Sequence, residues 1–479
     1  MPENREKQAP FAPVLQKGDA LTLTVTDLNN LGCGVAHAPD GRAVFIAGAV
    51  AGDTVRASII KVNRNFAVAR LLTVEKPSPD REQGFCAVPP SCGGCVYRFL
   101  TYKKELELKR SYIEHAFRKA GLFDICVEPV RGTGVTRGYR NKAEYPITEC
   151  KTGLCGGFYA QKTHRVVPAD TCSLQPSEFG EILRQTCRFF TARGVKAYRE
   201  EDGTGLLRHL YLRHGLGSGE IMVCPVINGE RLPDEAEYVA MLREKFPQVT
   251  SVLVNHNERN TNVVLGTRYR TLYGEPFLTD KFCGLTVRLA PQSFYQVNHD
   301  AAELLYRIAA ERTGLDGKGL LLDLYCGAGT IGLSMAHRVG EVTGIEIVPE
   351  AVECAKENAA RNGIENAHFY CGDAADAEGL LAPVERARGL IHPDVVILDP
   401  PRKGCDEALL RFLAARAVPR IVYVSCGPDS LARDVARLVA LGYTPDRVTP
   451  VDLFPRTGHV ESVVCLTRRL DNELRERMN

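Results

Sequence analysis

The chain has 479 residues and lacks any run of about 18 consecutive apolar residues, so no membrane-spanning helix is expected. Its opening residues, MPENREKQAPFAP, contain no apolar stretch of the secretory kind, which points to a cytoplasmic location. An excess of one charge is also missing. Sixty Lys and Arg against 58 Asp and Glu leave a formal net charge of +2, which argues against broad, non-specific affinity for nucleic acid. Local basic patches survive this balance, at Arg137, Arg140 and Lys142 and at Lys162, His164 and Arg165, and taken alone they read first as solvated charged faces. No internal repeat and no low-complexity segment is found. The C-x3-C-x2-C spacing of radical enzymes is absent as well.

What the chain does have is an ordinary globular composition, 44% apolar and 25% charged, at a length that implies two to four domains. It has 17 cysteines, an odd number, and without a secretion signal these are expected to be reduced thiols rather than a disulfide framework. Residues 1–14 read as a flexible tail. Residues 15–75 carry β-branched runs (LTLTVTDL, GRAVFIAGAV, DTVRASIIKV, NFAVARLLTV) broken by Gly, Asn and Asp, the pattern of a small barrel of the oligonucleotide-binding type. Residues 76–100 form a Pro- and Cys-rich loop, and 101–288 read as a central α+β domain opened by an amphipathic helix from Tyr102. From 289 to 479 strands and helices alternate, as in a Rossmann-like, parallel, doubly wound sheet. The segment 376–393 has no clear assignment.

Five stretches carry chemistry. In LLDLYCGAGTIGL, Asp323 ends a strand and Gly327, Gly329 and Gly332 open a helix; Glu346 ends the next strand. Glycines admit close backbone approach to a ligand, and an acid there binds ribose hydroxyls, which fits a nicotinamide dinucleotide and S-adenosylmethionine equally. In VVILDPPRKG, Asp399 ends a later strand and the prolyl pair stiffens the loop behind it. In RIVYVSCGPDS, Cys426 sits where an apolar strand gives way to a Gly-Pro turn, placing it at the ligand-binding edge as core filler or as nucleophile. In RTGHVESVV, Glu461 stands at the start of a terminal strand, where surface exposure is the default. Finally Cys86-x5-Cys92-x2-Cys95, with Cys172 further on, suits an iron–sulfur cluster or a structural zinc.

Taken together and in order, SFYQVNHDAAELLY, LDLYCGAGTIGL, GIEIVPEAV, LDPPRKG, YVSCGP and GHVESV resemble the RNA 5-methyluridine methyltransferases, particularly the bacterial 23S ribosomal RNA (uracil-5-)-methyltransferases that carry a TRAM domain and a [4Fe–4S] cluster. The match covers nearly the whole chain. It implies that the barrel at 15–75 is an RNA-binding TRAM domain and that 101–288 also binds RNA. It implies Gln296, Tyr325, Glu346 and Asp399, with Asp373 and Thr330, as the S-adenosylmethionine-binding positions. Cys426 becomes the nucleophile, Glu461 the base, and Phe294 the aromatic that holds a flipped base. Cys86, Cys92, Cys95 and Cys172 become the cluster ligands.

Tyr325 stands where phenylalanine is common, Thr330 where asparagine can occur, and Gly427 where asparagine is frequent. None of these departures removes a group the chemistry needs. The partners expected are ribosomal RNA, with transfer RNA as the alternative, and neither DNA nor membrane; the protein is expected to be a monomer. A nicotinamide-dependent oxidoreductase would leave Asp399, Cys426 and the barrel without a role. A non-catalytic RNA-binding protein would not need both nucleophile and base. A 5-methylcytosine enzyme would carry a cysteine after the proline, where Arg402 stands.

Overall fold

The computed structural model describes residues 15–374, 376, 379–389 and 391–469. The expected tail at 1–14 lies outside them. The chain divides into two compact units. One contains the N-terminal residues to Phe85 together with Cys95–Leu108 and Arg456–Gly458; the other contains the remainder.

In the first unit six strands form one curled sheet, in the order Ala20–Thr24, Thr54–Val62, Phe66–Lys76, Ala43–Ala47, Cys33–His37, Asp27–Leu28. Alternation drives it: Val55, Ala57 and Ile59 point inward from one strand, Val44 and Ile46 from another, and all are fully buried. One of the six strands, Cys33–His37, escapes the sequence reading because it is short and lies just after the Asn29-Asn30 and Gly32 turn; Asp27–Leu28 falls at the end of the run LTLTVTDL.

The second unit holds two seven-stranded sheets. The central one runs in the order Arg268–Gly274, Val249–His256, Ile221–Ile227, Leu207–His214, Lys142–Cys150, Gly153–Tyr159, Val166–Pro168. The helices Ser177–Ala192 and Glu235–Lys245 close a core against it through Phe179, Phe190, Tyr238 and Leu242. Here one expectation fails. Cys150 and Cys155 are joined by a disulfide across the hairpin of Lys142–Cys150 and Gly153–Tyr159. The hairpin register brings the two Cα atoms to 6.0 Å, a separation suited to the bond.

The segments read as central and catalytic domains share one apolar cluster. Tyr211, Met222, Cys224 and Leu253 of the central sheet pack with residues running from Leu278 to Val463. The catalytic sheet has the order Ala367–Cys371, Glu341–Glu346, Leu320–Leu324, Val395–Leu398, Arg420–Ser425, Glu461–Arg468, Tyr443–Val451. The first five are parallel, as expected. Glu461–Arg468 is reversed: it runs antiparallel to both of its neighbours, so Tyr443–Val451 beyond it points the same way as the first five. Tyr443–Val451 was hidden in the sequence by Pro445 and Pro450. Prolines are tolerated there because the strand is at the sheet edge and is bulged between Pro445 and Val448. The unassigned segment near 376–393 contains a short helix, Ala382–Arg388.

A buried ion pair ties the helix Tyr102–Lys119 to the loop after the edge strand. Lys109 Nζ lies 2.8 Å from Asp452 Oδ1 and 3.1 Å from the Phe454 carbonyl, and Lys109 is only 1% exposed. Removing one partner strands the other charge in the interior, at a cost of about 3–5 kcal/mol. Lys109→Met is therefore expected to lower the denaturant midpoint sharply. Adding Asp452→Leu is expected to recover part of the loss, and urea unfolding of both variants checks it.

Candidate active site

The carboxyl edge of the catalytic sheet collects most of the residues singled out from sequence. Leu320–Leu324 is followed by Tyr325, which takes a left-handed backbone (φ 64°) to swing the chain into the glycine loop. That conformation is costly for a bulky residue and is held by the surrounding structure. The loop returns to the neighbouring strand: Gly327 N donates to Glu346 Oε2 (3.1 Å), and Val348 N donates to Glu346 Oε1 (3.0 Å). Ile347 and Val348 are exposed apolar side chains directly after this acid. Asp373 follows the end of the next strand, and Gly372 N donates to the Glu346 carbonyl. Thr330 opens a helix at Thr330–Met335, and its Oγ1 lies 3.1 Å from the Tyr306 hydroxyl.

Beneath the loop, Asp323 is fully buried. Its Oδ2 accepts from Gly332 N (2.9 Å), while Oδ1 has no partner. Loss of water raises its pKa to about 7, and the Asp399 and Glu346 carboxylates add to the rise. An acidic edge, apolar side chains beside it and an unsatisfied buried oxygen fit a nucleoside with ribose hydroxyls and a flat base. Gln296 is half-buried, with its carbonyl held by Asn141 Nδ2 at 2.8 Å.

The second cluster forms at three adjacent strand ends. Asp399 follows Val395–Leu398, and Cys426 follows Arg420–Ser425, its parallel neighbour. Ser425 is paired with Ser462 in the antiparallel ladder, so Cys426 falls opposite Glu461 one step further. Glu461 is 4% exposed, which overturns the default of a surface carboxylate. Cys426 is half-buried; Ser425 Oγ accepts from Gly427 N at 3.1 Å and stiffens the turn that displays it.

Three acidic groups thus share one recess, and each is affected. Burial pushes the Cys426 thiol up to about 11, with the Glu461 and Asp399 carboxylates adding to it. Burial raises Glu461 to about 8, again helped by Asp399. Asp399 itself rises to about 7 through loss of water. The Arg402 guanidinium opposes the rise at both Cys426 and Glu461. It lies 3.3 Å from His459 Nε2, and burial together with Arg402 disfavours the charged form of that imidazole. The sequence reading gave neither Arg402 nor His459 a part in the site, although each stands inside a motif that it used, LDPPRKG and GHVESV.

Phe294 is 74% exposed, so it is not core filler. The cysteines present a different picture. Cys86 and Cys92 pack against an apolar cluster of Val88, Ala160, Val167 and Ala169, and the Cys172 thiol is raised chiefly by burial. Among the described residues no three His, Cys, Asp or Glu are grouped closely enough to hold a metal ion.

Comparison with known proteins adds a family description. A family model named tRNA (uracil-5-)-methyltransferase matches residues 278–469, and a TRAM domain model matches residues 14–72. A Halalkalibacterium halodurans protein named an uncharacterized RNA methyltransferase is 39% identical over 456 residues, 95% of this chain and 98% of that one. A Clostridium acetobutylicum protein of the same description is 36% identical over 457 residues, covering 95% and 98%. The crystal structure of Pyrococcus abyssi tRNA (uracil-54, C5)-methyltransferase in complex with S-adenosyl-L-homocysteine superimposes with a TM-score of 0.75. It is 27% identical and covers 93% of this chain and 99% of that one.

The raised Glu461 has a stability consequence with a definite sign. The unfolded carboxyl loses its proton near 4.5, the folded one near 8. Between those values the native state holds the extra proton, so stability present at low pH is lost as pH rises. Glu461→Gln lacks this loss. Relative to wild type it is expected to gain about 3–4 kcal/mol between pH 5 and pH 8. Unfolding at both pH values measures it; an unchanged difference would contradict the raised value.

Proposed function

Because this chain belongs to the RNA (uracil-5-)-methyltransferase family, we propose that it methylates C5 of a uridine in 23S ribosomal RNA through a covalent bond between Cys426 and C6 of the base. The single observation that carries this reading is the placement of Cys426 opposite the buried Glu461, with Asp399 on the adjacent strand end.

C5 of uracil is a weak nucleophile. Addition of the Cys426 thiolate to C6 moves the ring electrons into an enolate, with carbanion character at C5. When bound, S-adenosylmethionine supplies an electrophilic methyl group. Gln296, Tyr325, Glu346, Asp399, Asp373 and Thr330 would hold it, Glu346 at the ribose and Ile347 and Val348 beside the base. After methylation C5 carries both the methyl group and its original proton. Glu461 takes that proton, the C5–C6 double bond re-forms, and the C6–S bond breaks to return the thiolate. A base with its pKa raised to about 8 suits the task, because it is strong enough to pull a proton from carbon once ionised. Asp399 faces the polar edge of the uracil. Phe294, whose ring is exposed, stacks on the base displaced from its RNA neighbours.

Ribosomal RNA is favoured by the combination of TRAM domain and cysteine set in the resemblance. Transfer RNA is the second reading, favoured by similarity along nearly the whole chain to a solved enzyme named for transfer RNA. The protein is taken to act as a cytoplasmic monomer. The test is transfer of labelled methyl from S-adenosylmethionine to unmodified ribosomal and transfer RNA, followed by nucleoside identification. Label is expected in 5-methyluridine of ribosomal RNA. Cys426→Ala is expected to abolish it. Glu461→Gln is expected to trap a covalent protein–RNA complex, visible as a denaturation-resistant band, while releasing little product. Label confined to transfer RNA would overturn the substrate, and label that survives Cys426→Ala would overturn the mechanism.

Cys86, Cys92, Cys95 and Cys172 are proposed as the ligands of a [4Fe–4S] cluster, with structural zinc as the weaker alternative. Soft thiolate donors in an apolar setting, as at Cys86 and Cys92, suit iron–sulfur chemistry. Protein purified without oxygen is expected to contain about four iron and four sulfide per chain. Cys172→Ser is expected to lower both, and zinc without sulfide would decide for the alternative.

A further inference from the structure

The aromatic assigned to the flipped base is exposed, yet the backbone on either side of it is gripped by buried charges. Arg213, on the central strand Leu207–His214, is 2% exposed. Among the described residues it forms no ion pair. Its guanidinium donates instead to two carbonyls of the segment leading into Phe294: Nη1 to Ala290 O at 3.0 Å and Nη2 to Ser293 O at 2.7 Å. Tyr211, two residues earlier on the same face, donates its hydroxyl to Pro291 O at 2.8 Å. On the far side of Phe294, the Tyr295 hydroxyl donates to Asp280 Oδ2 at 2.9 Å. Asp280 is fully buried, and its other oxygen takes the backbone N–H groups of Gly217, Ser218 and Lys281.

A buried guanidinium without a carboxylate partner is expensive, and an apolar residue of similar volume would be cheaper. What the apolar residue could not do is span two carbonyls of one loop. Lysine could not do it either, because only the planar fork of arginine presents two donors in fixed relation. The charge therefore serves the loop. Asn141 holds the carbonyl of Gln296 separately, so the cofactor side of this segment has its own anchor.

We propose that Arg213, through Ala290 and Ser293, is a positioning residue that fixes Phe294 for the displaced base. The proposal rests on the base-holding role given to Phe294 above. It predicts a kinetic signature that a general structural role would not produce. Arg213→Lys is expected to lower kcat about 10-fold, consistent with a small misplacement of a positioning group. Affinity for S-adenosylmethionine is expected to stay within about twofold, because Gln296 keeps its own anchor. Phe294→Ala is expected to lower kcat further, and the double variant to be no slower than Phe294→Ala alone, since Arg213 then has nothing to position. Tyr211→Phe, which deletes only a hydroxyl, tests the same anchor if Arg213→Lys does not fold; its effect is likewise expected to vanish in the Phe294→Ala background.

Methyl-transfer kinetics and cofactor titration on the full-length protein decide between the outcomes. Penalties that multiply in the double variant, or a weakened cofactor, would overturn the positioning role alone. So would an undiminished kcat in Arg213→Lys beside a damaging Phe294→Ala. A silent Phe294→Ala would remove the base-holding reading and this proposal with it.

Discussion

The site depends on the direction of one strand. Five parallel strands bring their carboxyl ends to one edge, which supplies Tyr325, Glu346, Asp399 and Cys426. Glu461 starts its strand rather than ending it. Were that strand parallel to its neighbour, Glu461 would lie at the opposite edge, a full strand length from Cys426. Because it runs antiparallel between Arg420–Ser425 and Tyr443–Val451, its first residue meets the last residues of the strand that leads into Cys426. The edge strand makes this possible, since it pairs Val451 with Glu461 and keeps the carboxylate off the sheet margin and out of water.

The electrostatics follow from that crowding. Two carboxylates and a thiol in a recess with restricted water cannot all ionise, and each holds its proton more tightly than it would in solvent. Arg402 partly offsets this at Cys426 and Glu461. The free protein therefore keeps Cys426 as a thiol and Glu461 largely protonated near neutral pH. Such perturbed groups facing a ligand edge are what an acid–base site requires, and a purely structural strand end has no use for them.

Around this centre several buried polar groups also hold loops in place. Asp434 accepts from Cys405 N and from the Tyr423 hydroxyl, each at 2.8 Å, which ties down the far end of the loop carrying Arg402. Arg213 and Asp280 do the same on the two sides of Phe294. An exposed aromatic can remain in one place only if its backbone is fixed from within.

Local sequence determined the parts list. Strand-ending acids, a glycine turn, a cysteine before Gly-Pro and the order of the motifs are short-range features, and they were legible residue by residue. So was the alternation that builds the curled N-terminal sheet. The strand Tyr443–Val451 was not legible, because its prolines mimic a loop and are excused only by an edge position. The disulfide between Cys150 and Cys155 was not legible either, because it depends on a hairpin register rather than on cysteine count. Strand direction, the burial of Glu461 and the grip of Arg213 on the loop before Phe294 were decided by the tertiary structure alone. Each joins residues far apart in the chain, and whether a side chain is charged, buried or paired depends on neighbours that only the folded sheet brings to it.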